Sequence, residues 1–563
     1  MVILGVSGRV RDAAAAVAID GKAVAAAGEA ELRGVGEIGY RTTGGLPRQA
    51  IEFCLRQAGV SSRAVDLVVF VDERRVTANG VQAEITQRGG RELERRRTQW
   101  LPFEFDTRVM WTGAASAAAS LTAAAMPAAD GTVVVLDSGA REGGGIFRKR
   151  GGDVLFFHGI AGLPHLFDLV HRVAATLGVD NSHGPEIDAL VDLAALDPET
   201  TADGASARTN DAAQPPIAWR DGEVHFDAAA LARTVQALTD AAPGPLHAAN
   251  SPHMELQRRR RRLAAVAVHA LADTVSALLS DARERTKLPA LGVGGDLFAS
   301  PAFNTLVRQR LGEPVWFSPV PERSGLALGA ALALSEAGHR NGMLSHLGLG
   351  PAFDEDAIKA TLDNCRVDYV YEPHWPRLLA RASQLLSRGK VIAWFQGAMD
   401  FGPRSLGGRS ILCDPSSRYA RHNVNEYLFT RPLDTPLAVS VRREDFASCF
   451  TGGIDSPFMS LRAEAMPDCR TSLTAALDAQ HRCTVHTVDR AGAPQLWDLL
   501  STHRERTGVA GLIHEALRAE AQPIAVTPRA AVRTLFSSAI DALVIGRFLL
   551  MKDYWLLRSE WPT

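Results

Sequence analysis

The chain has 563 residues, of which 46% are hydrophobic and 22% charged, with a formal net charge of -2. That length corresponds to about three to four typical domains, and the near-neutral balance excludes a global electrostatic attraction to nucleic acid or to an acidic membrane surface. Six cysteines (Cys54, Cys365, Cys413, Cys449, Cys469, Cys483) are scattered without a C-x-x-C pair, so the sequence indicates neither a zinc site nor a disulfide framework and suits a reduced cytoplasm.

From the N-terminus, Met1-Val2-Ile3-Leu4-Gly5-Val6 reads as a first strand, because it lacks the basic region and long apolar core of a signal peptide. Residues 14–19 and 23–27 flank Asp20-Gly21, a pair that favours a type I′ hairpin turn. Residues 133–136, 145–147 and 154–157, with a turn at Gly151-Gly152, repeat that plan, and the repeat predicts a twofold α/β architecture. A polar stretch between about 197 and 214 reads as a mobile loop.

Five consecutive arginines, Arg258 to Arg262, lead into an apolar helix over residues 263–271. With no aromatic platform nearby, they are expected to form the solvated start of that helix, and no nucleic-acid partner is expected. No apolar run approaches the roughly 20 residues needed to span a bilayer, so the protein is expected to be soluble and free of a membrane. Helical patterns follow at 304–311 and 325–336, around Gly292-Val293-Gly294-Gly295. An acid-started helix at 354–362 serves as the connection between domains, giving boundaries at 1–345, 346–369 and 370–563. Strands are expected at 391–396, 436–441 and 541–546.

The stretch richest in chemistry is Asp400-Phe401-Gly402-Pro403-Arg404-Ser405-Leu406-Gly407-Gly408-Arg409-Ser410. Glycines let backbone N–H groups approach an oxyanion, and guanidinium forks bind phosphate or carboxylate in pairs. The alternative is a tight turn with two solvated arginines.

This stretch resembles the glutamate-phenylalanine-glycine-proline-arginine-alanine-leucine-glycine-asparagine-arginine-serine signature of the antibiotic and nodulation O-carbamoyltransferases. The resemblance extends to Ile3-Leu4-Gly5 with Asp12, Leu136-Asp137, Gly294-Gly295, Gly325 to Ala331 and Asp541 to Gly546. It implies a duplicated actin-like two-lobe α/β domain of the threonylcarbamoyl-transferase type, followed by a YrdC-like α/β domain. It also implies that the second domain makes carbamoyl adenylate from ATP and carbamoyl phosphate, and that the first passes the carbamoyl group to a substrate hydroxyl with a divalent metal. Asp12, Asp137, Gly294, Gly295 and Gly325 are then the nucleotide-binding positions, and Arg404, Arg409, Arg431, His514 and Arg518 line the carbamoyl phosphate type of pocket.

Much of that chemistry has changed in this chain. Where the family carries two metal-binding histidines four apart on a helix face, Val109 and Gly113 stand, and Arg323 replaces a downstream aspartate. Only Asp137 is left as a ligand, so no metal is expected. The lysine-x-arginine-glutamate segment of the pocket reads Phe429-Thr430-Arg431-Pro432, with Thr435 in place of a second arginine. The asparagine-rich stretch reads His514-Glu515-Ala516-Leu517-Arg518, and the run after Asp489 reads Arg490-Ala491-Gly492-Ala493. In the first domain, Arg11 precedes Asp12 in a histidine's place, and Asp188 takes a lysine's place. His514 and His486 are the new titratable groups near the old pocket.

The leading expectation is a catalytically degenerate family member of natural-product biosynthesis. It would act in the cytoplasm as a homodimer, or as a partner or scaffold of an intact carbamoyltransferase paralogue. Two alternatives stay open: an active metal-independent carbamoyl or acyl transferase using ATP and a small-molecule acceptor, and a nucleotide-binding sensor.

Overall fold

The computed structural model describes residues 1–9, 11–36, 38–39, 42–43, 45–72, 91–100, 103–138, 144–179, 186–196, 215–240, 252–333, 344–520 and 522–553. The polar stretch expected as a loop between 197 and 214 lies outside them. The chain groups into two compact units, one formed by Met1–Asp72, Gly90–Thr112 and Glu322–Thr563, the other built on Gly113–Pro321.

The first unit opens with the predicted hairpin. Val2–Ser7 pairs antiparallel with Ala14–Ile19, which turns at Asp20-Gly21 into Lys22–Gly28. Val2–Ser7 also pairs in parallel with Leu67–Asp72, so the first strand is central and buried on both faces. Alanine-rich strands permit close packing: helix Gly325–Ala333 lies so near that a Cβ on Gly5 would stand 2.1 Å from the Ala327 carbonyl oxygen. Helix Arg48–Gln57 turns Ile51, Phe53, Cys54 and Leu55 toward the hairpin core.

The second unit repeats the plan. Asp130–Leu136, Gly144–Arg150 and Asp153–Gly159 form an antiparallel meander, and the first of them pairs in parallel with Ala290–Gly294, which pairs in parallel with Trp316–Phe317. Each copy thus has a three-strand meander whose first strand pairs in parallel with a later strand, the duplicated α/β architecture expected from the sequence.

Two expectations are corrected here. The arginine run does not start a helix; it lies inside one, Pro252–Thr286, because the preceding residues continue the helical turn, and Arg260 Nη2 donates to the Leu177 carbonyl at 2.5 Å. That helix also contains a stretch, Leu256–Thr286, long and apolar enough to cross a membrane, where no such run was expected. Of its apolar window 67% is buried within the protein, as in a core helix.

The C-terminal part of the first unit carries a nine-stranded mixed sheet. Its order is Val370–Tyr371, Phe548–Met551, Ala542–Ile545, Ile392–Phe395, Arg409–Cys413, Gly511–Ala516, Ala438–Arg442, Arg482–Val488 and Leu461–Glu464. Helices Trp375–Ser387 and Pro494–Thr507 cover one face, packing Leu378, Leu385, Leu496 and Leu499 against Trp394, Leu412 and Leu512. Helix Glu355–Cys365, expected as the connection between domains, lies within the first unit, and Asp354 caps it by accepting from the Ala357 N–H at 2.8 Å.

Candidate functional site

The glycine-rich loop joins Ile392–Phe395 to Arg409–Cys413, two central strands of the large sheet. Its donors turn inward. One carboxylate oxygen of Asp400 accepts from the Leu406 N–H at 2.8 Å and the Gly408 N–H at 2.9 Å. Gly408 has to be glycine, since a Cβ there would lie 2.3 Å from the Ala398 carbonyl oxygen. The cradle read in the sequence as a place for an external anion holds the loop's own carboxylate. Burial raises the Asp400 pKa above the usual aspartate value, against the lowering influence of those N–H groups and of Arg409.

Arg409 is 1% exposed. Its Nη1 donates to the carbonyls of Gln396, Gly397 and Gly408 at 3.2, 3.1 and 2.8 Å, and its Nη2 donates to the Pro351 carbonyl at 2.6 Å. The guanidinium lies 3.5 Å from the centroid of the Phe395 ring, and burial brings its pKa down to about 9. This arginine therefore ties the loop to the strand beneath it. Arg404, half-buried, donates from Nη1 to the Phe458 carbonyl at 3.1 Å.

A second cluster forms around Phe429. Arg431 Nη2 meets a Glu515 carboxylate oxygen at 2.6 Å, and its Nε donates to Asn425 Oδ1 at 2.6 Å. Arg431 and Arg518 both lie over the Phe429 ring, 5.1 and 5.6 Å from its centroid. Buried Asn425 also donates to the carbonyls of Leu433 and Thr435, at 3.1 and 2.8 Å, and so shapes the turn that presents Arg431. Neither Glu515 nor Asn425 was assigned a role from the sequence. Glu515 meets Arg431 across 84 positions of chain, and Asn425 acts through the shape of the turn that follows it, so no short-range pattern marks either one.

His514 points to the opposite face of its strand from Glu515, as successive strand residues do. A buried polar chain runs through it. Ser405 Oγ meets Ser410 Oγ at 2.8 Å, Ser410 Oγ meets His514 Nε2 at 2.7 Å, and Ser440 Oγ bridges His514 Nδ1 at 2.5 Å and His486 Nδ1 at 2.9 Å. Burial depresses both imidazoles: His486 is brought down to about 3, and His514 lies well below the usual histidine range, with His486 adding to the effect. Both rings are neutral at pH 7. The structure thus brings Arg431 and Arg518 together on one face and links His514, through Ser410, to the loop that carries Arg409.

The other predicted positions divide between the units. In the first, Asp12 adopts a left-handed backbone (φ 54°) and its carboxylate raises the pKa of Glu31, whose main perturbation is burial. Gly325 opens its helix. A small cleft lies beside the loop, bordered by Glu31, Leu32, Pro351, Met399, Asp400 and Val526 among others. In the second unit, buried Asp137 follows the strand Asp130–Leu136, and Gly295 (φ 97°) approaches the Leu136 carbonyl within 2.1 Å of where a Cβ would stand. Gly294 packs against Thr122 Oγ1. Ser138 donates to Asp296 from its backbone N–H at 2.8 Å and also from its hydroxyl. Asp188 accepts from the hydroxyl of Ser300, which caps helix Pro301–Leu311.

The metal positions need a correction. Val109 and Gly113 do not share a helix face; they lie on strand Phe103–Gly113, and the helix begins at Ala114. The aromatic and β-branched residues Val109, Trp111 and Thr112 favour the strand, and Trp111 stacks on Phe70 with centroids 5.0 Å apart. Neither Val109 nor Gly113 offers a donor atom, and among the described residues no three His, Cys, Asp or Glu side chains converge as metal ligands. The residues present do not fit the metal that the family resemblance implied.

Residues 383–552 match the family model described as carbamoyltransferase C-terminus. A protein of Synechocystis sp. named only as uncharacterized is 24% identical over 98% of this chain and 96% of its own length. Nodulation protein NolNO of Sinorhizobium fredii is 28% identical over 53% of this chain and 45% of its own length. A 3'-hydroxymethylcephem-O-carbamoyltransferase of Amycolatopsis lactamdurans is 29% identical over 32% of each chain. The chain therefore matches about half or less of the relatives that carry a functional name. Both clusters described above, at Arg409 and at Arg431, lie inside the stretch that matches this family model.

Proposed function

We propose that this carbamoyltransferase homologue no longer makes carbamoyl adenylate and serves as a partner of an active carbamoyltransferase in a natural-product pathway. The observation that carries the reading is the pairing of Arg431 with Glu515 at 2.6 Å: a carboxylate of the protein itself neutralises the cation kept from the carbamoyl phosphate segment. Support comes from Phe429, which stands where a lysine would meet phosphate. Each missing charge-assisted bond to phosphate weakens binding by about 1.5–3 kcal/mol, so several together lower affinity by orders of magnitude. The partner role follows from a retained fold with altered chemistry, and dimerisation, with itself or with an intact paralogue, is the mode it implies. ATP stays a candidate ligand of the duplicated domain.

The test has two arms. Carbamoyl phosphate with ATP is expected to give no pyrophosphate above background; steady release, abolished by Arg404→Ala, moves the protein to the metal-independent transferase reading. Co-expression with an intact family member is expected to give a complex by light scattering, with a changed carbamoylation rate. A monomer that leaves that rate unaltered overturns the partner role.

A further inference from the structure

Cys449 and Cys469 stand far apart in the sequence, yet their sulfur atoms meet at 2.9 Å. Cys449 ends the short helix Phe446–Cys449, and Cys469 ends the 3₁₀ turn Pro467–Cys469. The two backbones are already tied, because the Met466 N–H donates to the Cys449 carbonyl at 2.8 Å and the Cys469 N–H donates to the Met466 carbonyl at 2.9 Å. Cys449 is buried and Cys469 is partly open to solvent, with a further contact to the Ser448 carbonyl at 3.5 Å. The remaining cysteines are isolated from one another, and burial pushes the thiols of Cys54, Cys413 and Cys483 far up.

The structure assigns Cys449 and Cys469 as a dithiol that closes to a disulfide by exchange with a low-molecular-weight disulfide. The accessible Cys469 thiolate attacks one sulfur of the small disulfide, forming a mixed disulfide and releasing one small thiolate. Cys449 then loses its proton to solvent and attacks the Cys469 sulfur, and the second small thiol leaves. Two protein thiols are oxidised by two electrons and one small disulfide is reduced to two thiols, so the exchange balances. Burial pushes the Cys449 thiol up to about 12, which disfavours it as the first attacking thiolate.

The consequence reaches the glycine-rich loop. The bond closes the segment between Cys449 and Cys469, which holds Phe458, the acceptor for Arg404, and Asp455, which pairs with Arg443 at 3.2 Å and accepts from Thr487 Oγ1 at 2.7 Å. Oxidation therefore clamps the wall against which Arg404 rests. This inference is independent of the partner role.

The full chain, reduced with a phosphine and desalted, is titrated with oxidised glutathione, alkylated and mapped by mass spectrometry. The expected result is a linked pair of peptides holding Cys449 and Cys469, with Cys54, Cys413 and Cys483 still thiols, and a higher melting temperature for the oxidised protein. Cys449→Ser is expected to stop at a glutathione adduct on Cys469, and Cys469→Ser to stay unmodified at Cys449. An unchanged thiol count in the wild-type protein overturns the assignment, as does a stable glutathione adduct on Cys469 beside an alkylatable Cys449.

Discussion

Arg431 and Glu515 face each other across 2.6 Å beside the Phe429 ring. Asn425 holds the guanidinium from behind through Nε, so Arg431 is oriented whether or not an external anion is present. Glu515→Gln keeps the shape and removes the charge. Calorimetric titration with carbamoyl phosphate is expected to show binding tightened by about 10-fold or more over the parent protein, the worth of one charge-assisted bond. Equal affinity in the two proteins would mean that Glu515 does not guard the site.

Arg409→Lys is expected to lower stability by about 3 kcal/mol or more. A lysine has no planar fork to reach the Gln396, Gly397, Gly408 and Pro351 carbonyls together, and it would leave buried acceptors without donors. Denaturant unfolding of the two proteins measures the difference. A loss under about 1 kcal/mol would show that the loop keeps its shape without this clamp.

The strands and hairpins were legible in the sequence because Asp20-Gly21 and Gly151-Gly152 mark tight turns between apolar runs, and local signals of that kind need no tertiary context. The loop at Asp400 to Ser410 was legible as an element, but its occupant was not: whether N–H groups bind an external oxyanion or a residue two turns back depends on where Asp400 points. Val109 and Gly113 were matched to a helix by alignment, although the β-branched and aromatic residues between them already favoured a strand. The Arg431–Glu515 and Cys449–Cys469 contacts rest on register between strands and turns remote in the chain, which no window of sequence displays.

Gly5→Ala tests the close packing of the first sheet. The added methyl would meet the Ala327 carbonyl oxygen at 2.1 Å and the Ala331 nitrogen at 2.7 Å, both backbone atoms of a helix that cannot swing aside. A loss of about 3 kcal/mol is expected, or insoluble protein. Gly36→Ala is the control, since nothing lies within 4 Å of a Cβ there. If the two variants melt together, helix Gly325–Ala333 does not bear on the strand as closely as described.

The buried pair His486 and His514 sets a pH dependence whose sign is fixed. In the unfolded chain each imidazole takes a proton near pH 6.5. In the folded protein both stay neutral well below that, His486 down to about 3, because burial disfavours the charged rings and, for His514, the neighbouring His486 adds to the effect. The unfolded state therefore binds more protons below pH 6.5, and stability falls as the pH drops from about 6.5 toward 3, by up to about 1.4 kcal/mol per pH unit for each ring. Asp400 works in the opposite sense at the acid end: its raised folded pKa means that the folded state holds a proton above the ordinary aspartate value of 3.8, so that contribution is lost as the pH rises. Comparison with a variant isolates the histidines. Urea midpoints at pH 7.5, 6.0 and 5.0 are expected to decline in the parent protein and to decline less steeply in His486→Gln, which keeps a polar partner for Ser440 without the titrating ring. Parallel declines in the two proteins would show that His486 gains its proton in the folded state as readily as in the unfolded chain.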